Sequence, residues 1–359
     1  MNLSRVSLAQ FRSWPRLDLA LDRQPLAIFG PNGSGKTNIL EAVSMLAPGR
    51  GLRAAPAPEQ ARQGKGAGWR IRAEIGDRLI ETAAAPDQSR QVAIDGKSAP
   101  QTALGRLLRV VWLVPSMDRL WSDTPEIRRR FLDRVTLSLI PDHAEAALSY
   151  EKSMRERNRL LRDQIHDPGW YRALESQMAQ AGAALTRNRI QAIAAIMAAQ
   201  DGGDGFPAAR LELLAGEGFA DDTDAGSIAA RLGAMRTRDL AAGRSLTGPH
   251  RADLGAFWGA QDMPAALSST GEQKALLLSL ILANARALAG QPVLLLLDEV
   301  AAHLDGDRRA ALYDRITALP VQCLLTGTGA ELFDAFGPRA RLLAVAKPDG
   351  ISSQAAEPV

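Results

Sequence analysis

The chain has 359 residues, 46% hydrophobic and 23% charged, which is enough for a sizeable core in one large domain or two ordinary ones. Lysine and arginine number 43 against 40 acidic residues, a net charge of +3 that names no polyanionic partner by itself. The single cysteine, Cys323, excludes an intrachain disulfide and a cysteine-rich zinc site. The opening MNLSRVSLAQFRSW has no apolar signal stretch, and the most apolar runs, 275–283 and 293–297, fall short of the roughly 20 residues that cross a bilayer. The expected location is therefore cytoplasmic, with no membrane partner.

The first part of the chain reads as strands. Leu17, Leu19 and Leu21 alternate with Asp18, Ala20 and Asp22, and Trp69, Ile71, Ala73 and Ile75 alternate with Arg70, Arg72 and Glu74. Asp95-Gly96 within QVAIDGKSA suits a tight hairpin turn, and VVWLV (110–114) reads as a buried strand. Between these, residues 50–72 carry Arg50, Arg53, Arg62, Lys65, Arg70 and Arg72 against one acid, Glu59. That window is the first choice for a nucleic-acid face that contacts the backbone with little sequence preference.

From Thr124 to about Ala242 the pattern turns mostly helical, with RLELL (210–214) a candidate strand. Thr124, Pro125 and Glu126 form a good helix start, and Ile127, Phe131, Leu132, Val135 and Leu139 share one face. Arg128 falls within that apolar arc, as a paired or as a functional arginine. A second helix ends near Asp167-Pro168-Gly169 and a third runs from about Trp170 towards Ala199. The acidic stretch 215–226 is expected to be mobile. Strand signals return near Gly248. The predicted architecture is a discontinuous α/β head made from both chain ends, at 1–115 and 246–359, with a mostly helical insertion at 116–245.

Two segments carry recognisable chemistry. LAIFGPNGSGKTN (26–38) is an apolar strand, a glycine-rich loop and a helix start, and Gly30 to Thr37 fits G-x-x-x-x-G-K-[ST]. Gly30, Gly33 and Gly35 let backbone N–H groups approach phosphates. Lys36 reaches the β- and γ-phosphates, and Thr37 can hold Mg²⁺. Pro31, Asn32, Ser34 and Asn38 complete the predicted ATP-binding set. PVLLLLDEVAAHLD (292–305) then gives a buried strand, Val293–Leu297, that ends in Asp298-Glu299. Asp298 is the expected second metal ligand and Glu299 the residue that polarises an attacking water. Asp305 follows and is assigned to nucleotide binding at a subunit contact.

LSSTGEQKALLLSLILANA (267–285) adds a third segment, whose Ser269 stands 29 residues before Asp298. Ser269 or Ser268 can cap an apolar core helix, and the same helix N-terminus can hold an anion. The order of the three segments resembles ABC-type ATPases. That resemblance implies that Ser269 and Gly271 close on ATP held by Lys36 of a second subunit.

Further stretches narrow the resemblance: FRSW near the start, RRRFLD (128–133), RERNRLL (155–161), TGPHRADL (247–254) and LLTGTG (324–329). With them the chain resembles the RecF family of bacterial DNA-repair ATPases, related to the heads of structural-maintenance-of-chromosomes proteins. The resemblance implies an ABC-type P-loop head with a helical arm. It also implies an ATP-dependent homodimer on double-stranded and gapped DNA, with slow hydrolysis as a switch. RecO and RecR are the implied partners, with RecA loading as the indirect outcome and the nucleoid as the place of action. The pattern departs from many ABC ATPases in three ways. No glutamine follows VVWLV, where Ser116 and Asp118 stand; Thr326 and Thr328 occupy the region of a switch histidine; and Glu272 replaces a glutamine of the signature. The rival readings are a transporter's nucleotide-binding subunit and a DNA-binding scaffold without turnover. The first leaves over a hundred residues of arginine-rich insertion unexplained, and the second leaves Lys36, Asp298 and Glu299 unexplained.

Overall fold

The computed structural model describes residues 2–64, 66–203, 205–216, 222–258, 262–348 and 351–354. By their contacts the residues fall into two units, Met1–Met117 with Ile281–Val359, and Asp118–Leu280. In chain order the first stretch contributes β1 (Leu3–Phe11), β2 (Trp14–Ala20), β3 (Leu26–Phe29), α1 (Lys36–Ser44), α2 (Ala57–Gln60), β4 (Trp69–Ile75), β5 (Arg78–Ala84), β6 (Gln91–Ile94), β7 (Lys97–Ala99), α3 (Leu104–Leu107) and β8 (Arg109–Leu113). The second unit holds α4 (Pro125–Leu139), α5 (His143–Arg162), α6 (Pro168–Ala199), β9 (Ala209–Leu214), α7 (Ala225–Ala234), α8 (Arg236–Ala242), β10 (Asp253–Trp258) and β11 (Met263–Pro264). The unit boundary falls within α9 (Thr270–Ala287), after which come β12 (Val293–Leu297), α10 (Gly306–Ala318), β13 (Gln322–Gly327), β14 (Arg341–Ala346) and β15 (Ser353–Gln354).

In the first unit two six-stranded sheets share a core. One is antiparallel, in the order β2-β1-β4-β5-β6-β7, and the other runs β15-β14-β3-β13-β12-β8 with β14 to β8 parallel. The period-two pattern of β4 survives intact: Trp69, Ile71, Ala73 and Ile75 are buried while Arg70, Arg72 and Glu74 are exposed. Asp95 and Gly96 take φ angles of 51° and 76°, which places β6 and β7 in the expected hairpin. All five residues of β12 are buried, as a central parallel strand covered on both faces requires. Ile39, Leu40, Ala42 and Val43 of α1 join Leu8, Trp14 and Ile71 of one sheet and Ile28, Leu296 and Leu324 of the other.

Two buried polar side chains complete this unit. Gln322 accepts the Leu3 N–H at 2.7 Å and donates to the carbonyls of Leu3 (2.8 Å) and Asp22 (2.7 Å), tying β13 to the N-terminal strand. Arg90 donates to the carbonyls of Met45, Ala47 and Gly49, where the end of α1 leaves acceptors without helical partners. Burial lowers its pKa to about 10, so the guanidinium stays charged at neutral pH.

The second unit is built on the α5–α6 pair and the sheet β11-β10-β9. Asp167 caps α6 by accepting the Gly169 N–H. RLELL forms β9, which pairs antiparallel with β10 from Asp253↔Leu214 to Trp258↔Ala209. That pairing draws 253–258 into the second unit, which by contacts extends to Leu280. Of the acidic stretch 215–226, residues 217–221 lie outside the described residues, and Asp224 caps α7 at the Ser227 N–H.

Each arginine-rich motif of this unit sends a polar side chain inward, while Arg130, Arg155, Arg159 and Arg251 stay exposed. Arg157 of RERNRLL is fully buried and places all five N–H groups: two on Glu175, one each on Asp239, Ser245 Oγ and the Leu232 carbonyl. Its neighbour Asn158 accepts from Ser245 N–H at 2.7 Å. Asp133 of RRRFLD accepts from Arg189 Nε (2.7 Å) and Nη2 (2.9 Å) and faces His143 Nε2 at 3.1 Å. Burial alone would raise its pKa, but His143 and Arg189 outweigh it and bring the pKa to about 2. His250 of TGPHRADL places Nε2 3.2 Å from the Ser245 carbonyl, so Nε2 carries the proton and Nδ1 accepts from Tyr150 Oη at 2.8 Å. Burial lowers its pKa to about 4 and keeps it neutral. Arg128 pairs through Nε (2.8 Å) and Nη2 (2.6 Å) with Asp253, which assigns it as a paired arginine.

Replacing Arg157 by methionine roughly keeps the volume but leaves Asp239 buried without its ion-pair partner and Glu175 with Arg236 alone. We expect a loss of about 3–5 kcal/mol in unfolding free energy, read from urea denaturation followed by far-ultraviolet circular dichroism.

Candidate functional site

The first unit gathers most of the predicted site residues where β3 and β12 end. The loop Gly30–Gly35 leaves β3 and turns into α1, with positive φ at Gly30, Gly33 and Gly35. At Gly30 a Cβ would run into the Val345 carbonyl of the adjacent β14, so only glycine fits. At Gly33 a Cβ would meet nothing within 4 Å; this glycine is needed for its φ of 76° alone. Gly35 occupies the N-cap of α1 with no side-chain cap, so the helix presents its first N–H groups and its dipole to the loop. Ser34 is buried, and its hydroxyl has no hydrogen-bond partner among the described residues. A cradle of amide donors with an orphaned hydroxyl fits a phosphate chain.

Lys36 is 4% exposed and donates to the carbonyls of Gly30 (2.8 Å) and Pro31 (3.0 Å). Desolvation lowers its pKa, while the charges of Glu299 and then Asp298 push the other way. Pro31, Asn32 and Gly33 are exposed on the outer rim of the loop.

Thr37 Oγ1 lies 2.9 and 3.1 Å from the two carboxylate oxygens of Asp298. On its other side Asp298 accepts from Thr326 Oγ1 at 2.7 Å, and its own N–H donates to the Leu113 carbonyl at 2.9 Å. One hydroxyl and one carboxylate, both hard oxygen donors, fit Mg²⁺. Among the described residues there is no group of three or more His, Cys, Asp or Glu side chains that could hold a metal ion. A cation at Thr37 and Asp298 therefore needs phosphate oxygens or water to fill its shell.

Glu299 takes φ 54° and ψ 20°, a left-handed conformation that a non-glycine residue adopts at a cost. Its N–H donates to Thr326 Oγ1 at 3.0 Å. Thr326 thus links the two consecutive acids, in the region where a switch histidine was looked for. Asp305 caps α10, accepting the Arg308 N–H at 2.9 Å.

Sequence reading missed Glu41. It is fully buried in α1 and accepts from Arg12 at 2.9 and 2.6 Å and from Arg53 at 3.0 Å. Arg53 also reaches Asn38 Oδ1 at 2.9 Å, and Asn38 donates to Ser13 Oγ at 2.7 Å. A polar residue among Ile39, Leu40, Ala42 and Val43 was the only available signal. The same pairing revises the basic window. Arg53 is held by Glu41, and Arg70 and Arg72 both pair with Glu81, at 3.3 and 2.6 Å. Two acids from outside the window therefore pair with half of its cations, Glu81 shared between two of them and Glu41 shared with Arg12. Arg50 is exposed, Arg62 is half-buried and Lys65 lies outside the described residues.

The signature residues belong to the second unit, where Ser269, Thr270 and Gly271 are exposed at the start of α9. Ser269 Oγ accepts the Glu272 N–H at 3.3 Å and Glu272 accepts the Ser269 N–H at 2.8 Å, a reciprocal capping box. The capping reading of Ser269 holds, and Glu272 in place of glutamine completes it. A Cβ at Gly271 would meet nothing within 4 Å. Asp118, which stands in the region where many ABC ATPases carry a glutamine, pairs with Lys274 of this helix at 2.8 Å.

The match to known proteins is broad. The RecF/RecN/SMC N terminal domain matches residues 2–352. The DNA replication and repair protein RecF of Rhizobium meliloti is 44% identical over 368 residues, 96% of this chain and 97% of that protein. The same protein of Mesorhizobium japonicum is 41% identical, covering 96% of each. Among solved structures, the recombination mediator protein RecF-ATP in the RecFOR pathway has a TM-score of 0.81 at 21% identity, covering 98% of this chain and 99% of that one. An Smc head domain from Pyrococcus furiosus reaches 0.56 at 17% identity, covering 99% and 96%. Fold and site define an ABC-type ATPase head of the RecF, RecN and SMC class. Within that class, the chain belongs to the RecF family of DNA replication and repair proteins. Among the described residues no helix is long and apolar enough to cross a membrane.

Thr326→Val keeps the shape of the side chain but removes the donor to Asp298 and the acceptor for Glu299 N–H. We expect a stability loss of about 1–3 kcal/mol, seen as a lower urea midpoint, with Thr326→Ser close to the parent.

Proposed function

We propose that this protein is an ATP-driven switch for DNA binding in recombinational repair. The observation that carries the reading is the convergence of Lys36, Thr37, Asp298 and Glu299 at the ends of two parallel strands, β3 and β12, that flank β13, whose Thr326 fixes both acids. ATP lies with its phosphates on the amides of Gly30–Gly35. Lys36 turns from the loop carbonyls to the β- and γ-phosphates, exchanging two neutral acceptors for anionic ones. Thr37 and Asp298 hold Mg²⁺, which when bound offsets phosphate charge. Glu299 orients the attacking water and accepts its proton.

The second half of the site comes from another copy. Ser269 and Gly271 of a partner close on the γ-phosphate, with Asp305 at the same contact, so that ATP drives homodimerisation. The dimer binds double-stranded and gapped DNA through phosphate contacts, for which Arg50 and Arg62 remain candidates by their placement and Lys65 by its charge alone. Hydrolysis is slow, DNA-dependent and resets binding. RecO and RecR are the partners, RecA loading is the outcome, and the setting is the cytoplasmic nucleoid. Support comes from family membership and from the related protein of the RecFOR pathway, solved with ATP.

DNA retention on a filter, measured with and without ATP, tests the switch. Lys36→Ala should abolish the ATP-dependent increment, and Glu299→Gln should retain ATP binding and hold DNA longer than the parent. Normal turnover by Glu299→Gln, or retention indifferent to ATP, would sink the reading. Action in trans predicts that mixing Lys36→Ala with Ser269→Arg subunits restores ATPase activity, since one composite site of the heterodimer is intact.

A further inference from the structure

The loop that cradles phosphate is fastened from behind by a residue over three hundred positions away. Ser352 is 2% exposed and immediately precedes β15, which pairs with β14 at the sheet edge. Its hydroxyl lies 2.5 Å from the Ser34 carbonyl and 2.7 Å from Ser13 Oγ, and its N–H donates to the Ser13 carbonyl at 3.2 Å. A carbonyl can only accept, so the single Ser352 proton goes to Ser34 O, and Ser13 must donate to Ser352. Ser13 in turn accepts from Asn38 Nδ2 at 2.7 Å. The result is a directed chain, Asn38 to Ser13 to Ser352 to the loop backbone, with every hydroxyl both donating and accepting.

This chain fills the space beside Gly35. A Cβ there would collide with Ser352 Oγ and would lie 2.8 Å from Ser13 Oγ. The next carbonyl, that of Gly35, accepts the Trp14 indole N–H at 3.0 Å. In a trans peptide the C=O and the following N–H point in opposite directions. Holding the Ser34 carbonyl on Ser352 therefore aims the Gly35 N–H away from Ser352. Holding the Gly35 carbonyl on Trp14 does the same for the Lys36 N–H.

We propose that Ser352 is a positioning residue for nucleotide binding: its hydroxyl fixes the Ser34–Gly35 peptide so that the Gly35 N–H faces the phosphates. The proposal rests on the reading of this loop as the ATP site. Ser352 touches no reacting atom and is remote in sequence from Glu299. Its loss weakens ground-state binding and spares the chemical step.

The test uses the full chain and compares the parent with Ser352→Ala, Ser13→Ala, the double variant and Lys36→Ala. ATP affinity is read by calorimetry, with KM and kcat from steady-state hydrolysis and the melting temperature alongside. Ser352→Ala should weaken ATP binding and raise KM about five- to tenfold with kcat within about twofold, the scale of one lost hydrogen bond. The double variant should fall short of the product of the single losses, because both break one chain. Unchanged ATP affinity in Ser352→Ala, with or without a lower melting temperature, overturns the positioning role and leaves the ATP reading standing. A parent that binds ATP no better than Lys36→Ala overturns both.

Discussion

A carboxylate at the end of a buried strand sets the terms for the first unit. Asp298 is 6% exposed, and a charge so nearly removed from water must be compensated locally. It is compensated by hydroxyls from two sides, Thr37 at the start of α1 and Thr326 at the end of β13. The acid therefore fixes the register of the helix that follows the phosphate loop against the strands that flank it. The backbone then inverts at Glu299, whose positive φ lifts the second acid out of the strand direction and into partial exposure. Two adjacent residues of the same chemical type thereby acquire different tasks. One is pinned among hydroxyls. The other is reachable by water, and the strain that puts it there is held by its N–H on Thr326.

The second unit solves a different problem with the same currency of paired charge. Its most distinctive motifs, RRRFLD, RERNRLL and TGPHRADL, each place a polar residue in the interior: Asp133, Arg157 and His250. Arg157, Arg189 and Arg128 each answer a specific carboxylate, and Arg157 leaves no N–H unused. A buried ion network adds little net stability compared with an apolar core, but it tolerates few alternative arrangements. That is a physical reason for such motifs to identify a family sharply. The likeness they carry is a likeness of scaffold, and the chemistry must be argued from the other unit.

How much was legible follows from the range of each interaction. Trp69–Ile75, the Asp95-Gly96 turn, RLELL and Val293–Leu297 were readable because periodicity and turn chemistry are local. The phosphate loop and Asp298-Glu299 were readable because their spacing along the chain is fixed by one strand and one turn. Pairings between distant segments were not. Glu41 with Arg12 and Arg53, Gln322 with Leu3, and Ser352 with Ser34 join residues that no local pattern relates. The basic window at 50–72 shows the cost of counting charge along the chain. Glu59 was its one internal acid, yet Glu41 and Glu81 sit against three of its arginines. For a related reason the partner of β10, a strand from the insertion, was not legible, since composition does not record strand partners.

The start of α9 shows that a structural cap and an anion site need not compete. A helix N-terminus has four N–H groups without intrahelical acceptors. The capping box uses those of Ser269 and Glu272, and its geometry needs no partner chain. Thr270 and Gly271 supply the N–H groups between them, both residues are exposed, and glycine at 271 lets an anion approach the backbone closely. The Glu272 carboxylate opposes an incoming phosphate by charge, so its engagement with Ser269 N–H matters twice: it spends part of that charge and holds the turn in shape. A turn already ordered by its own cap loses little conformational entropy on docking. Serine, glycine and a capping acid at these three positions therefore meet the folding requirement of the chain while leaving the Thr270 and Gly271 N–H groups outside the capping box.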